Sequence, residues 1–217
     1  MADGRLSNTI VAASWLTLLS ILAVVIAFAT PCWLETDGSL DHPKFVKLGL
    51  WTVCFEDFQE RLRLYEMRFS GCRWVLDEEY QIIDYLVRPQ FFIAVQLFFT
   101  LCFMACLLSG GLVVLAVCCM DDEREALFLR IISGVLGVAA VCGTISVITF
   151  GVLGDSRDWM PDYDHNNLSW SFGLAATGSI LLYFAAILFW VEGRRENKRD
   201  GFGFGAPPVG YEPSSQV

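Results

Sequence analysis

Polar and apolar residues in this chain are sorted into long blocks. Four blocks are almost free of ionisable side chains: Ile10–Pro31, Phe91–Met120, Ile131–Gly154 and Trp170–Val191. Each reaches the ~20 residues that cross ~30 Å of hydrocarbon, so each predicts a transmembrane helix. The second run, about 45 Å long at ~1.5 Å per residue, has to tilt or project beyond the bilayer. Ala27-Phe28-Ala29 has the small-x-small form of a cleavage site. The first run is nevertheless longer than a usual signal-peptide core, and its head carries Arg5 offset by Asp3, so it reads as a retained span.

The blocks divide the chain into a head (1–9), four spans (10–31, 91–119, 129–153 and 170–191), a long first loop (32–88), a short connection (120–128), a second loop (154–169) and a tail (192–217). In the first loop, Lys47–Phe55 and Gly71–Leu76 are rich in β-branched and aromatic residues. They predict two strands of a small antiparallel sheet. Arg61–Arg68 has the mixed charge of a hairpin tip or short helix, and Asp77–Leu86 reads as an amphipathic turn leading into the second span. The tail starts charged, then runs through Gly201-Phe-Gly-Phe-Gly205 and Pro207-Pro208. Such a composition cannot bury a core and predicts disorder.

Composition sharpens this picture. The chain is 55% hydrophobic and 18% charged, where a soluble domain has about a quarter of its residues charged. Arg194, Arg195, Lys198 and Arg199 directly follow the fourth run and favour a cytoplasmic C-terminus. The seven Lys/Arg of the first loop pull the other way, though a loop that long counts weakly in the rule. Cys54 and Cys72 decide the matter. They are the pair in a soluble segment, and a bonded pair belongs outside the cell, where disulfides persist. With four spans, both termini are then inside. Eleven acids against seven bases in the first loop, and four against one in the second, put −7 of the net −9 outside. That surface suits cations or a protein partner, and no basic patch suggests nucleic acid.

The candidate chemistry is thin. Gln96 is the strongly polar side chain inside a span, and no Asp, Glu, Lys or His is there to carry an ion or proton. His42 and His165 lack ligand spacing to a second His or a Cys pair. Neither an enzyme, nor a cofactor, nor a small-molecule substrate is indicated. Cys102 and Cys106 read as small apolar packing residues. Cys118-Cys119 close the second span and are palmitoylation candidates, packing at a helix end being the alternative. Ser133, Gly137, Ala140, Gly143 and Thr144 form a small-residue face on the third span, suited to packing within the bundle or to association between chains.

In the outer loops, Glu56, Asp57 and Asp77-Glu78-Glu79 are either a solvated face or the lining of a cation path between cells. Trp159 and Tyr163 suit contact with a facing cell's protein or with the membrane surface. Asn167-Leu168-Ser169 is a glycosylation sequon placed almost against the fourth span. Ser215-Gln216-Val217 has the form of a C-terminal strand-addition ligand for a cytoplasmic PDZ scaffold.

Trp33, Gly49-Leu50-Trp51, Cys54, Cys72 and Arg88 together resemble the W–GLW–C–C–R signature of the claudin family, and the four-span layout resembles it as well. The resemblance implies a four-helix transmembrane bundle carrying a small extracellular antiparallel β-sheet in the first loop. Within that fold, Trp51 sits between helix ends and Arg88 caps the bundle. Trp33 and Trp51 are also rings suited to the membrane interface. The implied role is structural, in a lateral cell–cell junction that forms a paracellular barrier. The partners are the lipid bilayer and the protein itself or other claudin-like chains, in cis and in trans. The cysteines enclose seventeen residues, about twice the spacing usual in vertebrate claudins. The resemblance therefore points to an invertebrate septate-junction protein. An auxiliary ion-channel subunit and a myelin-type adhesion protein share the layout and are the alternatives.

Overall fold

The computed structural model describes residues 7–59, 68–119, 125–154 and 159–203. Four long helices form the body: α1 (Asn8–Ala29), α3 (Gln90–Cys119), α4 (Glu125–Leu153) and α5 (Trp170–Gly203). Each is long and apolar enough to cross a membrane. Ser7 starts α1 by accepting a hydrogen bond from the Thr9 amide (3.3 Å), and Pro31 stops it just beyond Thr30. The helices pack in a ring, α1 on α5, α5 on α4, α4 on α3 and α3 back on α1. Small residues and hydroxyls make the close approaches. Ser133 Oγ donates to Ala186 O (2.8 Å) and Ser146 Oγ donates to Val95 O (3.0 Å). A side chain on Gly143 would run into Ser179 and Cys102. Such contacts hold helices together in lipid, where apolar burial between them contributes little. Ser133, Ala140 and Gly143 therefore pack inside the bundle, while Gly137 has open space around it. Cys102 and Cys106 are buried.

A five-stranded antiparallel sheet sits on one end of the bundle, in the order β4-β3-β2-β1-β5. Its strands are β1 (Leu34–Thr36), β2 (Phe45–Leu48), β3 (Thr52–Phe58), β4 (Phe69–Trp74) and β5 (Asn166–Leu168). The fold class is the expected one, with two corrections to the sheet. Lys47–Phe55 is not one strand: it breaks at Gly49–Trp51 into the end of β2 and the start of β3. The fifth strand comes from the second loop, which pairs on β1.

Bulges aim the sheet's apolar residues at the core. Phe55 pairs with Gly71 and Phe58 with Phe69, so β3 carries one extra residue there. Asp57, at φ 47°, supplies the left-handed turn of the bulge. Without it, Phe55 and Phe58 would face opposite sides, since side chains alternate along a strand. With it, both join Phe45, Phe69 and Tyr80 in one buried aromatic cluster, with ring centroids 5.0–6.3 Å apart. Tyr80 and Ile83 come from a 3-10 turn (Glu78–Ile83) that leads through α2 (Asp84–Val87) into α3. This is the turn expected at 77–86.

Two boundaries differ from the sequence pattern. Helix α4 begins at Glu125, inside the connection expected at 120–128, with an acid in its first turn, where a helix N-terminus favours it. Helix α5 does not end at Val191. It continues to Gly203, so residues 192–203, expected to belong to a disordered tail, are helical. Glu192–Arg195 and Glu196–Arg199 pair three residues apart along it, and Arg194 lies over the Trp190 ring. Such pairs favour helix beyond the apolar run. The hairpin tip or short helix expected at Arg61–Arg68 lies, apart from Arg68, outside the described residues.

Candidate functional site

The sheet and helices meet around Trp33. This side chain has 0% exposure. Its ring packs edge-on against Phe99 (5.0 Å), Phe150 (5.0 Å) and Phe172 (5.8 Å), from three different helices. Its Nε1 donates to Ala27 O in the fourth helix, α1 (2.7 Å). Its backbone joins strands on both sides: Trp33 N donates to Leu48 O (2.8 Å) and Ser169 N donates to Trp33 O (3.0 Å). Trp33 is therefore a pin buried in the mouth of the bundle, not a ring at the lipid interface as its position beside a span suggests.

The Gly49-Leu50-Trp51 turn lies against the same mouth. A Cβ on Gly49 would stand 2.5 Å from both Thr30 O and Pro31 Cα, so only glycine allows this approach of backbone to backbone. Leu50 is fully buried, and its carbonyl accepts from Gln96 Nε2 (2.7 Å). Gln96 thus has a partner in the first loop, which explains a buried amide inside a span. Trp51 is partly buried, its ring 5.7 Å from Phe28, which stacks on Phe103 at 4.3 Å. Arg88 follows α2 and holds Asp84 (Nε to Oδ1, 2.6 Å), so its side chain secures the turn before α3. Cys54 and Cys72 form a disulfide between register partners on β3 and β4.

The second loop is bound in three places. Trp159 is 7% exposed, its ring 4.8 Å from Phe91 and its Nε1 donating to Leu86 O (2.8 Å). It is thus unavailable to a facing cell or a membrane surface. Sequence reasoning missed this because nothing local marks an aromatic as buried. Strand β5 pairs with β1 through Leu34↔Leu168, Glu35↔Asn167 and Thr36↔Asn166. Beyond it, His165 Nδ1 lies 2.9 Å from Ser39 Oγ and 3.2 Å from Asp37 Oδ2. The Ser39 hydroxyl and amide, together with His165, hold the Asp37 carboxyl down to about 2. Asn167 of the sequon is exposed, but the Ser169 hydroxyl donates to Glu35 Oε2 (2.8 Å).

The acids expected to face solvent do so unequally. Asp57 is met by Arg68 (2.9 Å) and Glu79 by Arg73 (2.8 Å). Asp77 accepts from the Glu79 amide at the start of the 3-10 turn. Glu56 and Glu78 are exposed. Exposed apolar side chains near the sheet are Trp74, Leu76, Tyr85, Tyr163 and Leu168. Both faces of edge strand β4 are open beyond Phe69. At the other end of the bundle, Cys118 is exposed. The Cys119 side chain and Ser215-Gln216-Val217 lie outside the described residues. Among the described residues, no three His, Cys, Asp or Glu side chains converge as a metal site would need. The geometry thus offers a shaped, charged surface for contact.

A family profile described as "PMP-22/EMP/MP20/Claudin tight junction" matches residues 18–191, which contain the sheet and almost all of the four spans. No curated protein matches the chain.

Proposed function

Because the chain belongs to the PMP-22/EMP/MP20/Claudin family, we propose that it is a structural component of a lateral cell–cell junction, contributing to adhesion and to the barrier between cells. The observation that carries this reading is the sheet. Strands from both loops are joined, stapled by Cys54–Cys72 and seated on the bundle through Trp33. A surface held that firmly suits recognition of another protein, because its ordering cost is met before contact.

In this reading the sheet faces outward and both termini lie in the cytoplasm. The disulfide supports that orientation, as do the four basic residues between Arg194 and Arg199. Edge strand β4 and the exposed apolar residues beside the sheet are the surfaces for association with further copies or related chains, in cis and in trans. The acidic excess of the loops favours cations in the adjoining space. Cys118 and Cys119 take an acyl chain at the inner leaflet, and Ser215-Gln216-Val217 engages a PDZ scaffold. The long interval between Cys54 and Cys72 supports the septate type. The sequon at Asn167 stays unmodified, because it lies almost against the fourth span, too near the membrane for a transferase.

The test is localisation with tracer flux. Tagged protein in an epithelium is expected at lateral contacts, and depletion is expected to let a small tracer pass between cells. Retention with a pore-forming channel, and an altered current without leak, would instead assign an auxiliary channel role.

A further inference from the structure

Helices α1 and α3 form the loosest seam of the ring. They approach closely at Gly110, where a Cβ would stand 2.7 Å from Ile21 Cδ1. Toward the end of the bundle away from the sheet they leave a groove of about 230 Å³ between them. Its walls are Ile10, Val11, Ser14, Trp15 and Leu18 of α1 and Val117 of α3. A void of about 20 Å³ shares Ile10, Ser14 and Val117 with it and reaches Leu129 of α4 and Phe189 of α5.

The groove lies within the spans and opens sideways to the bilayer. Val11, Trp15, Leu18 and Val117 are exposed, so it is continuous with the surface that lipid already covers. Ser14 adds no polar demand, because its hydroxyl donates to Ile10 O (2.8 Å). One polar group is left over. The Trp15 indole N–H has no acceptor among the described residues, whereas Trp33 and Trp159 each donate to a carbonyl. An N–H without an acceptor is costly in hydrocarbon. Side chains on a helix lean toward its N-terminus, which here brings the indole toward the ester layer of the nearer leaflet. The ligand that fits is a flexible apolar chain with a hydrogen-bond acceptor at its head.

We propose that this groove holds one acyl chain of a phospholipid from the leaflet opposite the sheet, its ester carbonyl accepting from Trp15 Nε1. Moving a chain from lipid into the groove releases no water, so the hydrophobic effect does not retain it. Contact with both helices does, because a gap left empty there forfeits its partner atoms. The hydrogen bond fixes the head and offsets the freedom the chain loses. The site rests on the four spans and is independent of the junction reading.

Photolabelling of the full-length protein in nanodiscs tests it, with phosphatidylcholine that carries a mid-chain diazirine. Cys118→Ser and Cys119→Ser are made first, so that no thioester-linked chain competes. Adducts on Ile10–Leu18 are expected to exceed those on the equally exposed Ile180, Phe184 and Ile187 of α5 by about fivefold, the scale of one neutral hydrogen bond. Val117→Trp, which fills the groove, and Trp15→Phe, which removes the donor, are each expected to bring the ratio near one. Unchanged adducts on α5 are the control for folding. Even labelling of both faces in the parent protein would overturn the proposal. So would an excess on α1 that survives Val117→Trp or Trp15→Phe.

Discussion

Replacing Trp33 with alanine is expected to cost about 3–5 kcal/mol, the range for deleting a fully buried aromatic. The loss has three parts. The indole leaves a cavity between Phe99, Phe150 and Phe172. The hydrogen bond to Ala27 O disappears. The strand backbone on either side loses the side chain that fixes its height above the helices. Trp33→Phe is expected to recover much of the packing but not the hydrogen bond, and to fall between. Thermal unfolding in detergent, followed by loss of the monodisperse species, measures the difference. A Trp33→Ala protein within about 1 kcal/mol of wild type would show that the sheet is seated by something else.

Removing the Cys54–Cys72 bond is expected to cost about 3 kcal/mol, from the entropy of closing a loop of this length. The effect is concentrated because β4 is an edge strand, tied to the sheet through β3 alone. Of its residues, Phe69 is the one buried. Cys54→Ser, Cys72→Ser and the double variant are expected to be equally destabilised, since either single change already breaks the bond. Protease resistance of the sheet under non-reducing conditions reads this out. A double variant clearly worse than both singles would mean that each cysteine contributes by packing alone.

The spans were legible in the sequence because one physical demand dominates them. A helix in hydrocarbon has to be apolar over its whole crossing, and Ile10–Pro31 or Trp170–Val191 satisfies that without reference to any other residue. The Cys54–Cys72 staple was legible for a similar reason, as a pair in one soluble segment. The rest depended on contacts that no local window holds. Asn166–Leu168 is too short and polar to announce itself as a strand, and becomes one because β1 offers it an edge. Trp159 and Trp33 look like interfacial rings beside a span, and only tertiary packing turns them inward. Gln96 looked like an isolated polar group in a span, and its partner is a carbonyl in the first loop. The helix beyond Val191 was hidden by composition, because ion pairs along α5 favour helix where apolar burial has ended.

These contacts unify the two loops into a single platform. Its inner face is committed to the bundle, through Trp33, Leu50 and the aromatic cluster at Phe55. Its outer face and its β4 edge are what the molecule has to offer a partner. The junction reading therefore requires this platform to lie outside the cell, across the membrane from the extension of α5.

Labelling of intact cells by a membrane-impermeant maleimide tests that requirement most directly, with single cysteines introduced as Ser39→Cys in the first loop, Tyr163→Cys in the second and Lys198→Cys on α5. All three positions are compared with the wild-type background. Ser39→Cys and Tyr163→Cys are expected to react before permeabilisation, and Lys198→Cys only after it. Reaction of Lys198→Cys on intact cells, with both loop positions silent until the membrane is opened, would contradict the account.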